Sequence, residues 1–226
     1  MSEAANTMSH RPSVYLASAS AQRQTILEEL DIAFQLLKVE VEEVVAATAR
    51  ETVEENARRK LMAGLTIAEK GAVVVAADTV LKAQGRMLGK PADDTAATEY
   101  LQAFSGNSAM ACSAVAVAVA GAAEGSLATE TAEVHFKILS PEIIRWYLST
   151  GEPMGRAGAF GIGRLGEILT DSIDGGYSCV SGLPKTALIA ALAAVAKEQI
   201  PESLRHMPAT LLGTRVQLRS LPIQPS

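Results

Sequence analysis

Residues 72–91 read AVVVAADTVLKAQGRMLGKP, and the rest of the fold can be built outward from this stretch. Its first half is a run of apolar and β-branched residues that reaches Asp78, which is typical of a buried strand. Gly85 marks a turn, and the β-like return ends at Pro91 because proline cannot donate a ladder hydrogen bond. The stretch therefore predicts a β-hairpin.

Asp78 is an acidic residue near the end of this apolar run, and an unpaired buried carboxylate is costly. With the turn centred near Gln84, Asp78 and Lys90 lie six residues on either side of it. An antiparallel hairpin would place them opposite one another, with Cβ atoms roughly 4.5–5.5 Å apart. Two interpretations stay open: a structural cross-strand ion pair, or a carboxylate that binds a metal or activates water beside a lysine that holds a phosphate.

Strand-like and helical periodicities alternate on both sides of the hairpin. The predicted strands are 13–17, 34–41, 111–120 and 127–138, with a further hairpin formed by 167–173 and 177–180. The predicted helices are 21–30, 51–70, 93–104, 141–150 and 184–197. This order predicts an α/β fold, with a single domain over residues 1–200 that could form two lobes around a cleft. Residues 201–226 contain four prolines and no clear period, which predicts a loosely structured tail.

Length and composition exclude several classes of protein. The chain has 226 residues, of which 48% are apolar and 20% are charged, as in a globular domain with its own core. The formal net charge of −5 argues against a nucleic-acid partner. The apolar stretches are shorter than the ~18 residues of a membrane span, and the N-terminal residues lack the apolar segment of a secretory signal. We therefore predict a cytoplasmic protein without a nucleic-acid or membrane partner.

A strand-to-helix turn near the start of the chain is a candidate phosphate site. Ser18, Ser20 and Arg23 stand where free backbone N–H groups and the positive end of a helix dipole favour an anion. The alternative is that Ser20 caps the helix and Arg23 is a solvated charge. Farther along, Arg156 lies in a loop whose glycines would let the backbone approach a ligand closely.

Two other charged positions also admit bland interpretations. Glu42 and Glu43 either supply a metal-facing carboxylate or cover a solvated strand end. Lys60 lies one position from the apolar stripe of its helix, so its ammonium could simply extend from the edge of the core to water.

Seven short motifs, taken in order, resemble the Maf family. They are Leu16-Ala17-Ser18-Ala19-Ser20-x-x-Arg23, Ala77-Asp78-Thr79-Val80, Gly89-Lys90-Pro91, Phe104-Ser105-Gly106, Gly151-Glu152-Pro153, Ala157-Gly158-Ala159-Phe160-Gly161-Ile162 and Gly182-Leu183-Pro184. The resemblance implies an elongated mixed sheet flanked by helices, related to the inosine triphosphate pyrophosphatases and usually homodimeric. It also implies metal-dependent hydrolysis of nucleoside triphosphates to monophosphate and diphosphate, with the clearing of non-canonical nucleotides as one purpose.

The resemblance also implies roles for particular residues. Asp78 would be the proton acceptor, and Asp78 with Glu43 would hold Mg²⁺ or Mn²⁺. The phosphates would be contacted by Ser18, Arg23, Lys60 and Lys90. The remaining residues of the implied substrate site are Ser20, Gln22, Thr79, Arg156 and Gly163, and the family associates positions 22, 79 and 163 with base selection.

The chain departs from the family pattern at three of these positions. Relatives usually carry arginine at position 22, lysine at 156 and glutamine or glutamate at 163, where this chain has Gln22, Arg156 and Gly163. We therefore expect a changed base specificity or a reduced activity. An alternative function, a non-catalytic nucleotide-binding regulator linked to septum formation, is disfavoured by the retention of Asp78 together with Lys90.

Overall fold

The computed structural model describes residues 14–208 and 216–223. Its strands are β1 (Val14–Leu16), β2 (Gln35–Leu36), β3 (Val73–Ala83), β4 (Arg86–Leu88), β5 (Ser108–Val119), β6 (Glu124–Phe136), β7 (Thr170–Asp174) and β8 (Gln217–Pro222). Its helices are α1 (Ala21–Glu29), α2 (Ala49–Leu65), α3 (Asp94–Phe104), α4 (Pro141–Ser149), α5 (Tyr177–Val180), α6 (Lys185–Val195) and α7 (Glu202–Arg205). Within these two ranges, no helix is both long enough and apolar enough to cross a bilayer.

The described strands form one mixed sheet. Its path runs β2-β1-β3-β5-β6-β7, with β4 added to β3 and β8 added to β6. β1 is parallel to β2 and β3, whereas β3, β5, β6 and β7 are antiparallel to their neighbours along the path. The apolar run of β3 lies at the centre of this sheet, which explains why its residues are buried on both faces. The predicted α/β fold, with a mixed sheet flanked by helices, is confirmed.

Successive residues of β3 serve opposite faces of the sheet. Val75 packs in one core with Leu188 of α6, whereas Val74 packs in another with Leu61 of α2. Burying a side chain of this size contributes roughly 1.5–3 kcal/mol. Because side chains alternate along a strand, Asp78 shares the face of Val74 and therefore points toward α2.

The predicted β3–β4 hairpin is present, and its turn is centred between Gln84 and Gly85. Both residues have positive φ, 49° and 76°, as a two-residue type I′ turn requires. Leu81 consequently pairs with Leu88.

This turn shifts the register by one residue from the predicted one. Extended along β3, it would set Asp78 across from position 91 rather than from Lys90. The prediction that Asp78 and Lys90 lie opposite one another is therefore wrong, and Asp78 pairs with Ala114 of β5 instead.

The second predicted hairpin is also wrong. Residues 165–169 form a 3₁₀ helix and residues 177–180 form α5, so only β7 remains as a strand. The carbonyl of Gly176 accepts from the N–H groups of Cys179 and Val180, which closes a helical turn. A short apolar run fits a buried helical turn as well as a strand, so periodicity alone could not separate them.

Part of the predicted loose tail is a strand. β8 pairs with β6 in antiparallel register, and Arg219 forms an ion pair with Glu54 of α2. Leu221 is the buried residue of this strand, so β8 shows no alternating pattern that the sequence could reveal. Residues 209–215 and 224–226 of the predicted tail lie outside the described residues.

Candidate active site

A cleft of about 760 Å³ opens between the start of α1, the middle of β3 and α2, with the loops around residues 39–45 and 154–162 on its sides. Its lining includes every predicted site residue except Gly163. The predicted residues that line it are Ser18, Ser20, Gln22, Arg23, Glu43, Lys60, Asp78, Thr79, Lys90 and Arg156. The fold thus brings together side chains that lie far apart in the sequence.

Lys60 lies between two carboxylates in this cleft. Its Nζ is 2.7 Å from Asp78 Oδ1 and 2.7 Å from Glu43 Oε1. The Lys60 side chain is only 13% exposed, so its ammonium does not extend to water as the simplest interpretation of its helix position would have it. It neutralises an acidic pair instead.

The buried carboxylate of Asp78 has a hydrogen-bond donor on each oxygen. Lys60 occupies Oδ1, and Asn56 Nδ2 donates to Oδ2 at 3.1 Å. These partners explain how an ionised acid is tolerated at the end of an apolar strand, since a buried charge is stable only when it is paired and hydrogen-bonded.

Lys90 follows β4 at the exposed mouth of the cleft. In the described structure the ion-pair partner of Asp78 is Lys60 rather than Lys90. The charge of Lys90 still reaches the acidic pair, because it contributes to the pKa of Glu43. The position of Lys90 suits contact with a ligand that enters from solvent.

Glu43 is a strong anion in this setting. Partial burial alone would raise its pKa, but the hydrogen bond and charge of Lys60, with the charges of Lys90 and Arg23, lower the pKa of the Glu43 carboxyl below its ordinary value. Of the two acidic side chains considered at this strand end, Glu43 therefore faces the site.

Arg23 is held within the protein rather than solvated. Its Nη1 donates to Ser18 Oγ at 3.0 Å, and its Nε donates to the carbonyl of Gly182 at 2.9 Å. Burial lowers the pKa of its guanidinium, which the charges of Asp78 and Glu43 oppose. Arginine keeps its proton despite such shifts, so the cleft has a fixed cation beside the start of α1.

Ser20 occupies the N-cap position of α1, yet its side chain makes no capping hydrogen bond. Its hydroxyl contacts the side-chain amide of Gln22 at 3.1 Å instead. The first backbone N–H groups of α1 therefore have no side-chain cap at Ser20, which leaves this helix end suited to an anion.

Gln22 connects two sides of the cleft. With its amide oxygen turned toward Arg156, Gln22 accepts from Nη2 of that guanidinium at 2.9 Å and donates to Ser20 Oγ at 3.1 Å. Arg156 is also fixed by the bond from its Nε to the carbonyl of Glu152, at 2.9 Å. The two substituted positions, 22 and 156, therefore contact each other.

Thr79 belongs to a short polar chain. Its hydroxyl lies 2.8 Å from Ser113 Oγ and 3.3 Å from the carbonyl of Gly182, and Ser113 Oγ donates to the carbonyl of Cys179 at 2.7 Å. Because Gly182 also accepts from Arg23, this chain attaches the loop after α5 to the floor of the cleft.

Gly163 lies just outside the lining. A Cβ placed on it would have the Tyr177 hydroxyl as its nearest neighbour, at 3.5 Å, and its backbone is not in the left-handed region. The Tyr177 hydroxyl in turn donates to the carbonyl of Ile162 at 2.9 Å. Gly163 therefore leaves space beside Tyr177 rather than meeting a conformational requirement.

Sequence reasoning missed two residues of α2 that organise the acidic side of the site. Asn56 and Thr52 are 3% and 2% exposed, and their side chains bond the backbone of the loop that carries Glu43. The missed signal is their spacing, since Thr52, Asn56 and Lys60 follow one another at intervals of four and share one helix face.

The acidic pair fits a divalent cation. The oxygens of Asp78 and Glu43 converge on a single cation position, which the Lys60 ammonium occupies. Carboxylate oxygens are the ligands that Mg²⁺ and Mn²⁺ prefer. Asp78 and Glu43 are thus the residues that could hold the metal.

Fold and cleft together define a class: an α/β protein whose paired carboxylates and fixed cations suit a phosphorylated ligand. A family model described as Maf-like protein matches residues 13–195. The chain belongs to the Maf family, as the motifs of its sequence indicated.

Curated relatives agree with this assignment. The chain is 38% identical to the dTTP/UTP pyrophosphatase of Syntrophomonas wolfei over 79% of its own length and 95% of the relative's. It is 43% identical to the dTTP/UTP pyrophosphatase of Symbiobacterium thermophilum over 75% and 87% of the two lengths. The solved structure of the Staphylococcus aureus Ham1 protein, 19% identical, covers 55% of this chain and 71% of that chain with a TM-score of 0.37, a likeness too slight to inform the function.

Proposed function

We propose that this protein is a metal-dependent nucleoside triphosphate pyrophosphatase that releases a nucleoside monophosphate and diphosphate. The observation that carries the proposal is the Lys60 ammonium held between Asp78 and Glu43, in a cleft that also presents Arg23 and Lys90. Relatives named dTTP/UTP pyrophosphatase support pyrimidine triphosphates as substrates.

The basic side of the cleft would bind the triphosphate. Arg23 and Ser18, already fixed to one another, would contact phosphate oxygens at the start of α1. Lys90 would approach from the mouth of the cleft. These cations would also stabilise negative charge that develops on the leaving diphosphate, which is electrostatic stabilisation of the transition state.

The acidic side would provide the metal site and the base. Asp78 and Glu43 would hold Mg²⁺ or Mn²⁺, and the metal would supply charge neutralisation at the phosphates. Lys60, displaced from the carboxylates, would then offer its charge to phosphate oxygens. Asp78 would accept the proton of the attacking water.

Turnover of a substrate panel tests this function. The purified protein is incubated with dTTP, UTP, CTP and modified pyrimidine triphosphates in Mg²⁺ or Mn²⁺, and diphosphate release is measured with and without EDTA. We expect metal-dependent release that EDTA abolishes. Nucleotide binding without any turnover would instead favour the regulator linked to septum formation.

The family resemblance also supports a cytoplasmic homodimer that has no nucleic-acid or membrane partner, built from one domain over residues 1–200. The net charge of −5 supports the absence of a nucleic-acid partner. Light scattering on the purified protein, at concentrations spanning two decades, tests the dimer.

A further inference from the structure

Asn56 is a buried amide that contacts both the loop of Glu43 and the carboxylate of Asp78. Its Oδ1 accepts from the N–H of Val44 at 2.8 Å, and its Nδ2 donates to the carbonyl of Val44 at 3.1 Å and to Asp78 Oδ2 at 3.1 Å. The side chain is 3% exposed, so none of these bonds is readily replaced by water.

The three bonds fix which way the amide points. Two of its partners, the carbonyl of Val44 and the carboxylate of Asp78, can only accept, and the third, the N–H of Val44, can only donate. A primary amide satisfies this combination because it carries an acceptor and two donor hydrogens. Leucine, of similar size, would leave all three partners unsatisfied in a buried place.

Asn56 therefore acts on both members of the acidic pair. Val44 directly follows Glu43 in the sequence, so the two bonds to its peptide groups fix the backbone beside that carboxylate. The third bond fixes Oδ2 of Asp78, which leaves Oδ1 directed at the cation position that Lys60 occupies.

We propose that Asn56 is a positioning residue that sets the spacing of Asp78 and Glu43 and thereby the affinity of the site for a divalent cation. This inference rests on the proposed function for its consequence in catalysis, but cation binding can be measured without turnover. Side chains that orient metal ligands typically change metal affinity by about 10–100-fold when they are removed.

Thr52 provides a matched control on the same helix face. Its hydroxyl accepts from the N–H of Ala46 at 2.9 Å, so it holds the same loop without contacting Asp78. If Asn56 served only to hold the loop, removing either anchor would weaken cation binding to a similar extent. If Asn56 positions the carboxylate pair, its removal has the larger effect.

The test measures Mn²⁺ alone binding to the metal-free protein by electron paramagnetic resonance titration. We compare wild type with Asn56→Leu, Asn56→Ser and Thr52→Val, and confirm folding by thermal unfolding. We expect Kd for Mn²⁺ to rise at least ~10-fold in both Asn56 variants and less than ~3-fold in Thr52→Val. Asn56→Ser removes less volume-filling carbon and keeps the test available if Asn56→Leu does not fold.

A kinetic comparison separates positioning from a loss of fold. In the same variants, the Mn²⁺ concentration for half-maximal activity should rise with Kd, while kcat at saturating Mn²⁺ recovers to within a few-fold of wild type. Equal Mn²⁺ affinity in wild type and the folded Asn56 variants would overturn the proposal, as would equal weakening by Thr52→Val. Mn²⁺ binding that follows these expectations in a protein without turnover would support the role of Asn56 and refute the proposed function.

Discussion

Lys60 Nζ lies 2.7 Å from Asp78 Oδ1, and the two side chains are 13% and 8% exposed. The lysine comes from the middle of α2 and the acid from the central strand, so their contact joins the two elements at the floor of the cleft. Removing one partner of a buried ion pair leaves an uncompensated charge, which costs more than the pair contributes as a whole.

Lys60→Met tests this pair. The change leaves Asp78 and Glu43 close together without a cation, so we expect lower stability by roughly 1–3 kcal/mol, below the ~3–5 kcal/mol of fully buried pairs because Glu43 is partly exposed. Mn²⁺ should restore part of the loss by taking the cation position. Melting temperatures with and without Mn²⁺ measure both effects, with Lys82→Met, an exposed lysine on the same strand, as control. A melting temperature equal to that of the control would contradict the pairing.

Asp78→Asn tests the proposed base. The variant removes the charge and turns an amide N–H toward either Lys60 or Asn56, both of which already donate. We expect kcat to fall by at least ~10² while the protein remains folded. Steady-state kinetics and circular dichroism check this, with the exposed Asp171→Asn as control. Unchanged turnover in the folded variant would assign Asp78 to structure alone.

Base selection should be weak in this chain. Gln22 is engaged with Arg156, and Gly163 offers no side chain, so few fixed groups remain to read a base edge. A pocket that selects by shape discriminates roughly 10–200-fold, whereas one that hydrogen-bonds a particular edge reaches ~10⁴ or more. We expect kcat/KM values across pyrimidine triphosphates to lie within about two decades. A preference above ~10⁴ for one base would refute this expectation.

Gly163→Gln extends the same test. The backbone at Gly163 accepts a side chain without strain, and the nearest obstacle is the Tyr177 hydroxyl. The longer amide should favour dTTP and UTP over other triphosphates and so widen the difference in kcat/KM between them. The same ratio in wild type and variant would show that position 163 does not read the base here.

Glu55 makes stability depend on acid pH. Hydrogen bonds from Arg58, aided by Arg59 and opposed by burial, lower the pKa of Glu55 to about 2. Because the folded-state pKa is depressed, the contribution is complete above the ordinary value of 4.5 and is lost as pH falls from there toward 2. We expect Glu55→Gln to cost about 0.5–1 kcal/mol at pH 7, since such exposed pairs are screened by solvent. Urea unfolding at pH 7 and pH 3.5 should show the difference narrowing at the lower pH, and a widening difference would contradict the assignment.

The sequence was most informative where chemistry and periodicity coincide. The apolar run before Asp78 identified the central strand, because only a strand buried on both faces is so continuously apolar. Ser18, Arg23 and Lys90 could be placed near phosphates because they follow short strands or open a helix. The Lys60 contact could not be predicted, since it depends on how α2 lies across the sheet, and periodicity gives only which face of a helix is buried.

Two errors have physical causes that recur in other proteins. The hairpin register was misplaced by one residue because Gln84 takes a positive φ, which is uncommon outside glycine and asparagine. β8 was missed because its attachment depends on the ion pair of Arg219 with Glu54 rather than on buried side chains. Asn56 was overlooked because a single polar residue beside an apolar stripe looks like a solvated position until its partners are known.

The identity of the products tests the central claim most directly. Purified protein is incubated with dTTP and Mn²⁺, the metal is removed with EDTA, and the products are followed by ³¹P nuclear magnetic resonance, with Asp171→Asn and Asp78→Asn measured in parallel. Attack between the α- and β-phosphates predicts dTMP and diphosphate in equal amounts from wild type and Asp171→Asn, with at least ~10²-fold slower turnover in Asp78→Asn. Formation of dTDP and orthophosphate would contradict it.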